Sequence, residues 1–121
     1  MQELAVGIAG YGAIGRAVGA RLLAGVPGVK LVAIGVRDPA AASPPAADVR
    51  VVPAAELGAL ASVVVECAPA SAFPSVAEPA LRAGRTLVVL SCAALLRHED
   101  LPALARANGG RILIPTGALS W

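Results

Sequence analysis

The stretch that decides the fold runs from Ala5 to Gly15 and reads Ala-Val-Gly-Ile-Ala-Gly-Tyr-Gly-Ala-Ile-Gly. Its second half, Gly10 to Gly15, is a G-x-G-x-x-G motif between an apolar run and a helix-forming segment, 16–24. Strand, glycine turn and helix in this order are the context in which the motif predicts a dinucleotide-binding turn. Because three glycines in six residues also arise by chance in a glycine-rich chain, the alternative is an ordinary turn without a ligand.

The positions of the motif have separate expected roles. Gly10 permits the tight turn, Gly12 lets the backbone approach a pyrophosphate, and Gly15 lets the helix pack closely on the strand. The first N–H groups of the helix then point at the phosphates. We therefore expect Gly10, Gly12, Ala13, Ile14 and Gly15 to bind a cofactor, NAD or NADP.

Composition restricts the class of protein. A chain of 121 residues suits one domain over 1–121 without a second domain, and 57% hydrophobic but 2% aromatic residues imply an aliphatic core, as in parallel sheets covered on both faces. A net charge of +2 with scattered arginines argues against nucleic acid. No apolar run reaches the roughly 18 residues that a membrane span needs. The absence of a signal peptide and of metal-like cysteine spacing predicts a cytoplasmic protein without a metal site.

Apolar runs alternate with helix-length segments along the chain, and six strands are predicted, at 4–9, 29–36, 49–52, 62–66, 86–90 and 111–114. Helices are predicted at 13–23, 54–60, 72–83 and 100–107, while 39–48 is expected to be a mobile loop or a poor short helix. Pro79 is expected to kink or break the third helix. The pattern predicts an α/β fold, a doubly wound parallel sheet of the Rossmann order 3-2-1-4-5-6. The ligand is then expected at the carboxyl ends of strands 1 and 4, where the order reverses.

The end of the second strand bears on the choice between NAD and NADP. An acid about 20 residues after the glycines would bind the adenosine ribose and exclude a 2′-phosphate. Here the strand is followed by Arg37 and Asp38. Arg37 is placed to meet a 2′-phosphate, whereas Asp38 comes one or two residues late for the ribose. Both charges also suit a solvated loop, so the preference stays open, with a slight leaning toward tolerance of NADP.

The ends of strands 4 and 5 carry further candidate groups. Cys67 and Ala68 are expected to line the cofactor cleft, and Cys67 is favoured as a structural residue because no histidine at a comparable strand end would activate it as a nucleophile. Glu66 is either a cleft carboxylate or a side chain turned to solvent. Since strands 4 and 5 are neighbours, the Cα atoms of Cys67 and Cys92 are expected within roughly 10 Å. His98 lies in a polar helix flank and is not expected to be catalytic.

Four blocks, in order along the chain, resemble the N-terminal domain of L-aspartate dehydrogenases: Gly-Tyr-Gly-Ala-Ile-Gly at 10–15, Val-Val-Glu-Cys-Ala at 64–68, Leu-Ser-Cys-Ala-Ala-Leu at 90–95 and Ile-Pro-Thr-Gly-Ala at 114–118. The Glu-Cys-Ala and Pro-Thr-Gly-Ala blocks are the more specific, because many Rossmann enzymes share the first. The resemblance implies oxidation of L-aspartate to iminoaspartate, which feeds NAD synthesis or hydrolyses to oxaloacetate and ammonia. It also places Gly117 and Ala118 beside the nicotinamide.

The chain departs from that family after Ala118. The family continues into a second domain with the catalytic histidine and most of the substrate pocket, whereas here three residues follow. No catalytic residue carries over, so we expect cofactor binding without turnover, with the missing domain supplied in trans or the chain forming a homo-oligomer. The alternatives are a stand-alone dinucleotide-binding regulatory module and the Rossmann domain of another dehydrogenase, such as homoserine dehydrogenase or dihydrodipicolinate reductase.

Overall fold

The computed structural model describes residues 3–91 and 97–115. Within these ranges the strands are β1 (Leu4–Ala9), β2 (Val29–Val36), β3 (Arg50–Pro53), β4 (Val63–Glu66), β5 (Thr86–Val89) and β6 (Arg111–Leu113). The helices are α1 (Ala13–Ala24), α2 (Leu57–Leu60), α3 (Phe73–Arg82) and α4 (Leu101–Asn108). All five neighbouring strand pairs are parallel, in the order β3-β2-β1-β4-β5-β6. The predicted doubly wound Rossmann sheet is confirmed.

Two apolar cores cover the sheet, because alternate residues of each strand point to opposite faces. The core beneath α1 joins Ile8, Leu31, Ile34 and Val49 to half-buried side chains of the helix. The larger core on the other face is closed by α2, α3 and α4, and its larger members include Leu57, Val64, Phe73, Leu81, Leu87, Val89 and Leu101. Burial on both faces explains why the strands read as unbroken aliphatic runs.

One half of the α1 face is less covered than the rest of the sheet. Val65, Val88 and Leu113 lie side by side across β4, β5 and β6. Val65 also pairs with Ile8 of the α1 core, which fixes the face on which the row lies. Val65 and Val88 are half-buried and Leu113 is 51% exposed, because α1 packs chiefly on β1 and β2. We call these three residues the open half-face.

Pro79 lies inside α3, which continues through it to Arg82, so the expected break is absent and the expected kink stays a prediction. A proline at this position removes the N–H that would reach the carbonyl of Ser75, four residues earlier. Ser75 is exposed, so water can satisfy that carbonyl. The helix is held instead by a buried stripe on its inner face, formed by Phe73, Val76, Ala77, Ala80 and Leu81.

The remaining differences from the predicted elements are small. The segment 39–48 contains one short 3₁₀ helix, Pro39–Ala41. Gly84 follows α3 with φ of +74°, and its N–H donates to the carbonyl of Leu81, as expected for a helix terminator. Within the described ranges, no helix is long and apolar enough to cross a membrane.

Phe73 provides a test of the larger core. It is fully buried and stacks at a tilt against His98, with ring centroids 5.6 Å apart. Phe73→Ala is expected to lower the free energy of unfolding by about 3–5 kcal/mol through lost burial and the cavity left behind. Leu4→Ala, at an exposed position, should change it by about 0.5 kcal/mol or less. Urea unfolding followed by circular dichroism measures both, and equal midpoints would contradict this description of the core.

Candidate functional site

The strand order creates a crevice at the carboxyl ends of β1 and β4. The chain leaves β1 toward β2 on one side, while β4 leads to β5 on the other, so the connections diverge at this point. A cavity of about 330 Å³ opens there. Its lining comes from the ends of β1, β2, β3 and β4 and from the start of α3, and includes Gly10, Arg37, Ala54, Ala68, Ser75 and Val76.

Gly10 is required by the protein itself. Its φ is +89°, and a Cβ at this position would lie 2.7 Å from the Cα of Ala68. The N–H of Gly10 donates to the carbonyl of Gly35 at 2.8 Å, and the N–H of Cys67 donates to that of Ala9 at 2.8 Å. Gly10 therefore holds the ends of β1, β2 and β4 close together at the floor of the crevice.

Gly12 and Gly15 differ in what surrounds them. A Cβ on Gly15 would collide with the carbonyl oxygen of Gly10, so this glycine permits α1 to pack on the strand end. A Cβ on Gly12 would have no atom within 4 Å from residues beyond its immediate surroundings in the chain, and its φ of −82° suits any residue. Neither backbone nor packing explains a glycine there. The space that a side chain would fill is what a pyrophosphate group needs, so these residues fit a dinucleotide.

The N-terminus of α1 faces this space. Gly12 is the N-cap and brings no capping side chain, and the first turn contains no acidic residue. The N–H groups of Ala13 and Ile14 precede the first intrahelical donor, which is the N–H of Arg16 to the carbonyl of Gly12 at 2.8 Å. A twelve-residue helix with an uncapped first turn is a favourable place for an anion.

Arg37 and Asp38 follow β2, and both are exposed. Arg37 lines the cavity, whereas Asp38 is not part of its lining. No carboxylate within the described ranges forms an ion pair with Arg37. Of the two residues that bear on the choice between NAD and NADP, Arg37 is therefore the one that lies at the cavity wall.

Cys67 is half-buried at the end of β4. Burial, and to a lesser degree the charge of Glu66, raises the pKa of the Cys67 thiol to about 11. Because the thiolate is the nucleophilic form, a thiol that stays protonated at neutral pH fits the structural role expected for this residue.

Glu66 neither faces the cleft nor turns to solvent, so both expected placements were wrong. Its side chain is 0% exposed. The carboxylate Oε1 accepts two hydrogen bonds, from the N–H of Leu90 at 3.1 Å and of Ser91 at 2.9 Å. These two amides at the end of β5 draw the carboxylate into the interior, because a buried charge needs donors that replace its water.

Other predicted residues lie elsewhere. His98 packs on Phe73 and is not part of the cavity lining. Cys92, Gly117 and Ala118 fall outside the described residues, so the expected proximity of the two cysteines and the place of Ala118 stay predictions. Over 3–91 and 97–115, no group of three or more histidine, cysteine or acidic side chains could hold a metal ion.

The sequence missed the cavity residues that follow β3 and those that begin α3. Pro53 pairs with Val36, so the segment after β3 lies beside the end of β2. The start of α3, from Ala72 to Val76, lies above the crevice because it follows β4. The strand order alone was enough to find both segments, since all carboxyl ends of a parallel sheet share one edge.

Residues 10–115 match the family model described as homoserine dehydrogenase, NAD binding domain. The chain belongs to this family of NAD-binding domains. It is 48% identical over 125 residues to L-aspartate dehydrogenase of Bradyrhizobium diazoefficiens, a match that covers 97% of this chain and 43% of the relative. It is 45% identical over 123 residues to L-aspartate dehydrogenase 3 of Bordetella bronchiseptica, covering 98% and 45%. The chain thus spans less than half the length of these relatives.

Solved structures share the fold of this NAD-binding domain. An NAD binding oxidoreductase from Klebsiella pneumoniae superposes with a TM-score of 0.77 at 21% identity, covering 97% of this chain and 35% of that one. The WlbA dehydrogenase from Bordetella pertussis, in complex with NADH and UDP-GlcNAcA, gives 0.75 at 19% identity, covering 93% and 37%. Together with the family match, the sequence relatives confirm the predicted resemblance to L-aspartate dehydrogenases and the predicted NAD(P)-binding domain.

The thiol chemistry of Cys67 gives a prediction for this domain. In a Cys92→Ser background, the rate of Cys67 alkylation by iodoacetamide should rise about tenfold per pH unit through pH 9.5 without a plateau, because the thiolate stays a minor species below its raised pKa. In the same chain unfolded in urea, the rate should reach half its maximum near pH 8.5, the pKa of an ordinary thiol, and level off about one pH unit higher. A plateau below pH 9.5 in the folded protein would contradict the pKa of about 11.

Proposed function

We propose that this chain holds NAD(P) at the crevice between β1 and β4, as the cofactor half of an oxidoreductase that acts on L-aspartate. The observation that carries the proposal is the space at Gly12, where nothing in the protein requires a glycine. Residues 1–121 act in it as a single dinucleotide-binding unit. The names of the two bacterial relatives support L-aspartate as the substrate of the whole enzyme.

Separate parts of the crevice bind separate parts of the cofactor in this proposal. The pyrophosphate lies at Gly12 against the N–H groups of Ala13 and Ile14, and the absence of a side chain on Gly15 keeps that helix end close to the strand. The adenosine lies in the cavity of about 330 Å³, whose wall carries Arg37.

The other half of the cofactor extends over the ends of β4 and β5. Cys67 and Ala68 border it there, and Ala118 borders it by the family resemblance. The bound nicotinamide supplies the hydride acceptor, while the residues of this chain bind and orient the group. The apolar side chains of Ala68 and Val76 in the cavity lining also help to exclude water from the cofactor site.

The substrate is held by another polypeptide segment in this proposal. Arg37 is the charged residue of the described cavity lining, and the rest is apolar apart from Ser75. Neither side chain is a general base of the kind that amine oxidation needs. We propose a domain in trans as the partner that supplies those groups, and a homo-oligomer as the second candidate. A free Cys67 thiol is consistent with a cytoplasmic location for the assembly.

Gly12→Val tests the proposed cradle. The side chain would fill the pyrophosphate space and lower NADH affinity at least about tenfold, while the unfolding free energy changes by about 1 kcal/mol or less, the usual cost at a helix N-cap. Ala20→Val, on the exposed side of α1, is the control and should leave NADH binding unchanged. Fluorescence titration and thermal unfolding give both quantities. Equal NADH affinity in all three proteins would refute the proposal.

Arg37→Ala tests the place of the 2′-phosphate. Loss of a charge-assisted contact should weaken NADP binding about tenfold and leave NAD binding within about twofold. Arg50→Ala removes the same charge from the opposite, amino-terminal end of β3 and should affect neither cofactor. Isothermal titration with both cofactors decides the matter. An equal loss for NAD and NADP would show that Arg37 does not distinguish them.

Turnover separates the proposal from that of a self-sufficient enzyme. The purified chain is expected to bind NADH and to show no L-aspartate-dependent reduction of NAD or NADP at 340 nm, because hydride transfer needs a held substrate as well as a held cofactor. The stand-alone regulatory module gives the same assay result, and rescue of turnover by an added catalytic domain distinguishes the two. Turnover by the chain alone would contradict the proposal.

A further inference from the structure

Glu66 is a buried charge at a position where an apolar residue would pack. It ends β4 on the same face as Val64, and the paired residue of β5 is Val89, which is also fully buried. Removing a carboxylate from water costs folding free energy, and two amide donors return only part of it. The second oxygen, Oε2, is buried and has no hydrogen-bond partner among the described residues. Stability therefore does not account for a glutamate here.

The carboxylate fixes the relative position of two strand ends. Oε1 accepts from the N–H groups of both Leu90 and Ser91, the first two residues after β5. On the other side, the chain just after Glu66 is fixed to β1, since the N–H of Cys67 donates to the carbonyl of Ala9 and Ala68 packs against Gly10. The Glu66 side chain thus adds to the contacts that join β5 to the floor of the crevice. The others are the β4–β5 ladder, the Leu90 N–H to the carbonyl of Glu66 at 3.3 Å, and the Ser91 hydroxyl, which donates to the carbonyl of Ala68 at 3.5 Å.

This connection lies in the second half of the sheet. The doubly wound fold binds one nucleotide over each half, and the glycine motif and Arg37 belong to the half formed by β1, β2 and β3. We propose that Glu66 is a positioning residue for the nicotinamide half of the dinucleotide, because it holds the backbone amide of Ser91 and so, with the bond from the Ser91 hydroxyl to Ala68, fixes the distance between the ends of β4 and β5. The inference rests on the proposed function and adds to it the residue that shapes the second subsite.

Affinities for NADH and for ADP-ribose, which lacks the nicotinamide, separate this role from general stabilisation. Glu66→Ala removes the acceptor of the Ser91 amide and leaves the Leu90 amide only the backbone carbonyl of residue 66, to which it already donates at 3.3 Å. It should lower NADH affinity about tenfold, with ADP-ribose affinity changed less than about twofold. Glu66→Gln keeps an oxygen that accepts both N–H groups and should retain the wild-type ratio of the two affinities. Val64→Ala loosens the same strand without touching the amides and should retain that ratio as well.

A second experiment uses only the wild-type chain, so it does not depend on whether the variants fold. In amide NMR spectra, NADH should shift the resonance of Ser91, and ADP-ribose should leave it in place. Equal shifts with both ligands would overturn the inference. An equal loss of both affinities in Glu66→Ala would also overturn it, and so would a Glu66→Gln protein whose affinity ratio matches that of Glu66→Ala. If the wild-type chain binds neither ligand, the proposed function fails and this inference fails with it. Binding of both ligands without the predicted difference refutes the inference alone.

Discussion

The contact between Gly10 and the backbone of Ala68 is the constraint on which the rest of the structure depends. It joins the ends of β1 and β4, the two strands at which the sheet reverses its order. A side chain at Gly10 would push these ends apart and would also resist the φ of +89°. Because Gly15 packs on the carbonyl of Gly10, the same contact fixes where α1 begins and the direction in which its N-terminus points.

The charges around the crevice suit an anionic ligand. The N-terminus of α1 and the guanidinium of Arg37 both contribute positive potential at the first half of the site. The nearby carboxylate of Glu66 is withdrawn from solvent and held by amides of the β5 end. Hydrogen-bond donors and a cation therefore lie at the cleft surface, whereas the negative side chain is held away from it by backbone amides.

The sequence was sufficient for the features that depend on local pattern. The bounds of β1 and β2 and the strand order follow from long aliphatic runs and from the glycine motif. The placement of Glu66 depends on amides 24 and 25 residues away, which no local pattern reports. The persistence of α3 through Pro79 depends on tertiary burial of its inner stripe, which outweighs one lost hydrogen bond. The empty space at Gly12 likewise required knowledge of which atoms surround it.

The open half-face makes the stability of the domain depend on the concentration of any partner that covers it. Val65 and Val88 are partly hydrated in the monomer and Leu113 is largely so, so much of their apolar surface contributes little to folding of the single chain. Any partner that covers these residues in the folded state, a second copy included, adds a binding free energy that grows with the logarithm of its concentration. The melting temperature of the chain then depends on the concentration of that partner as well as on the sequence.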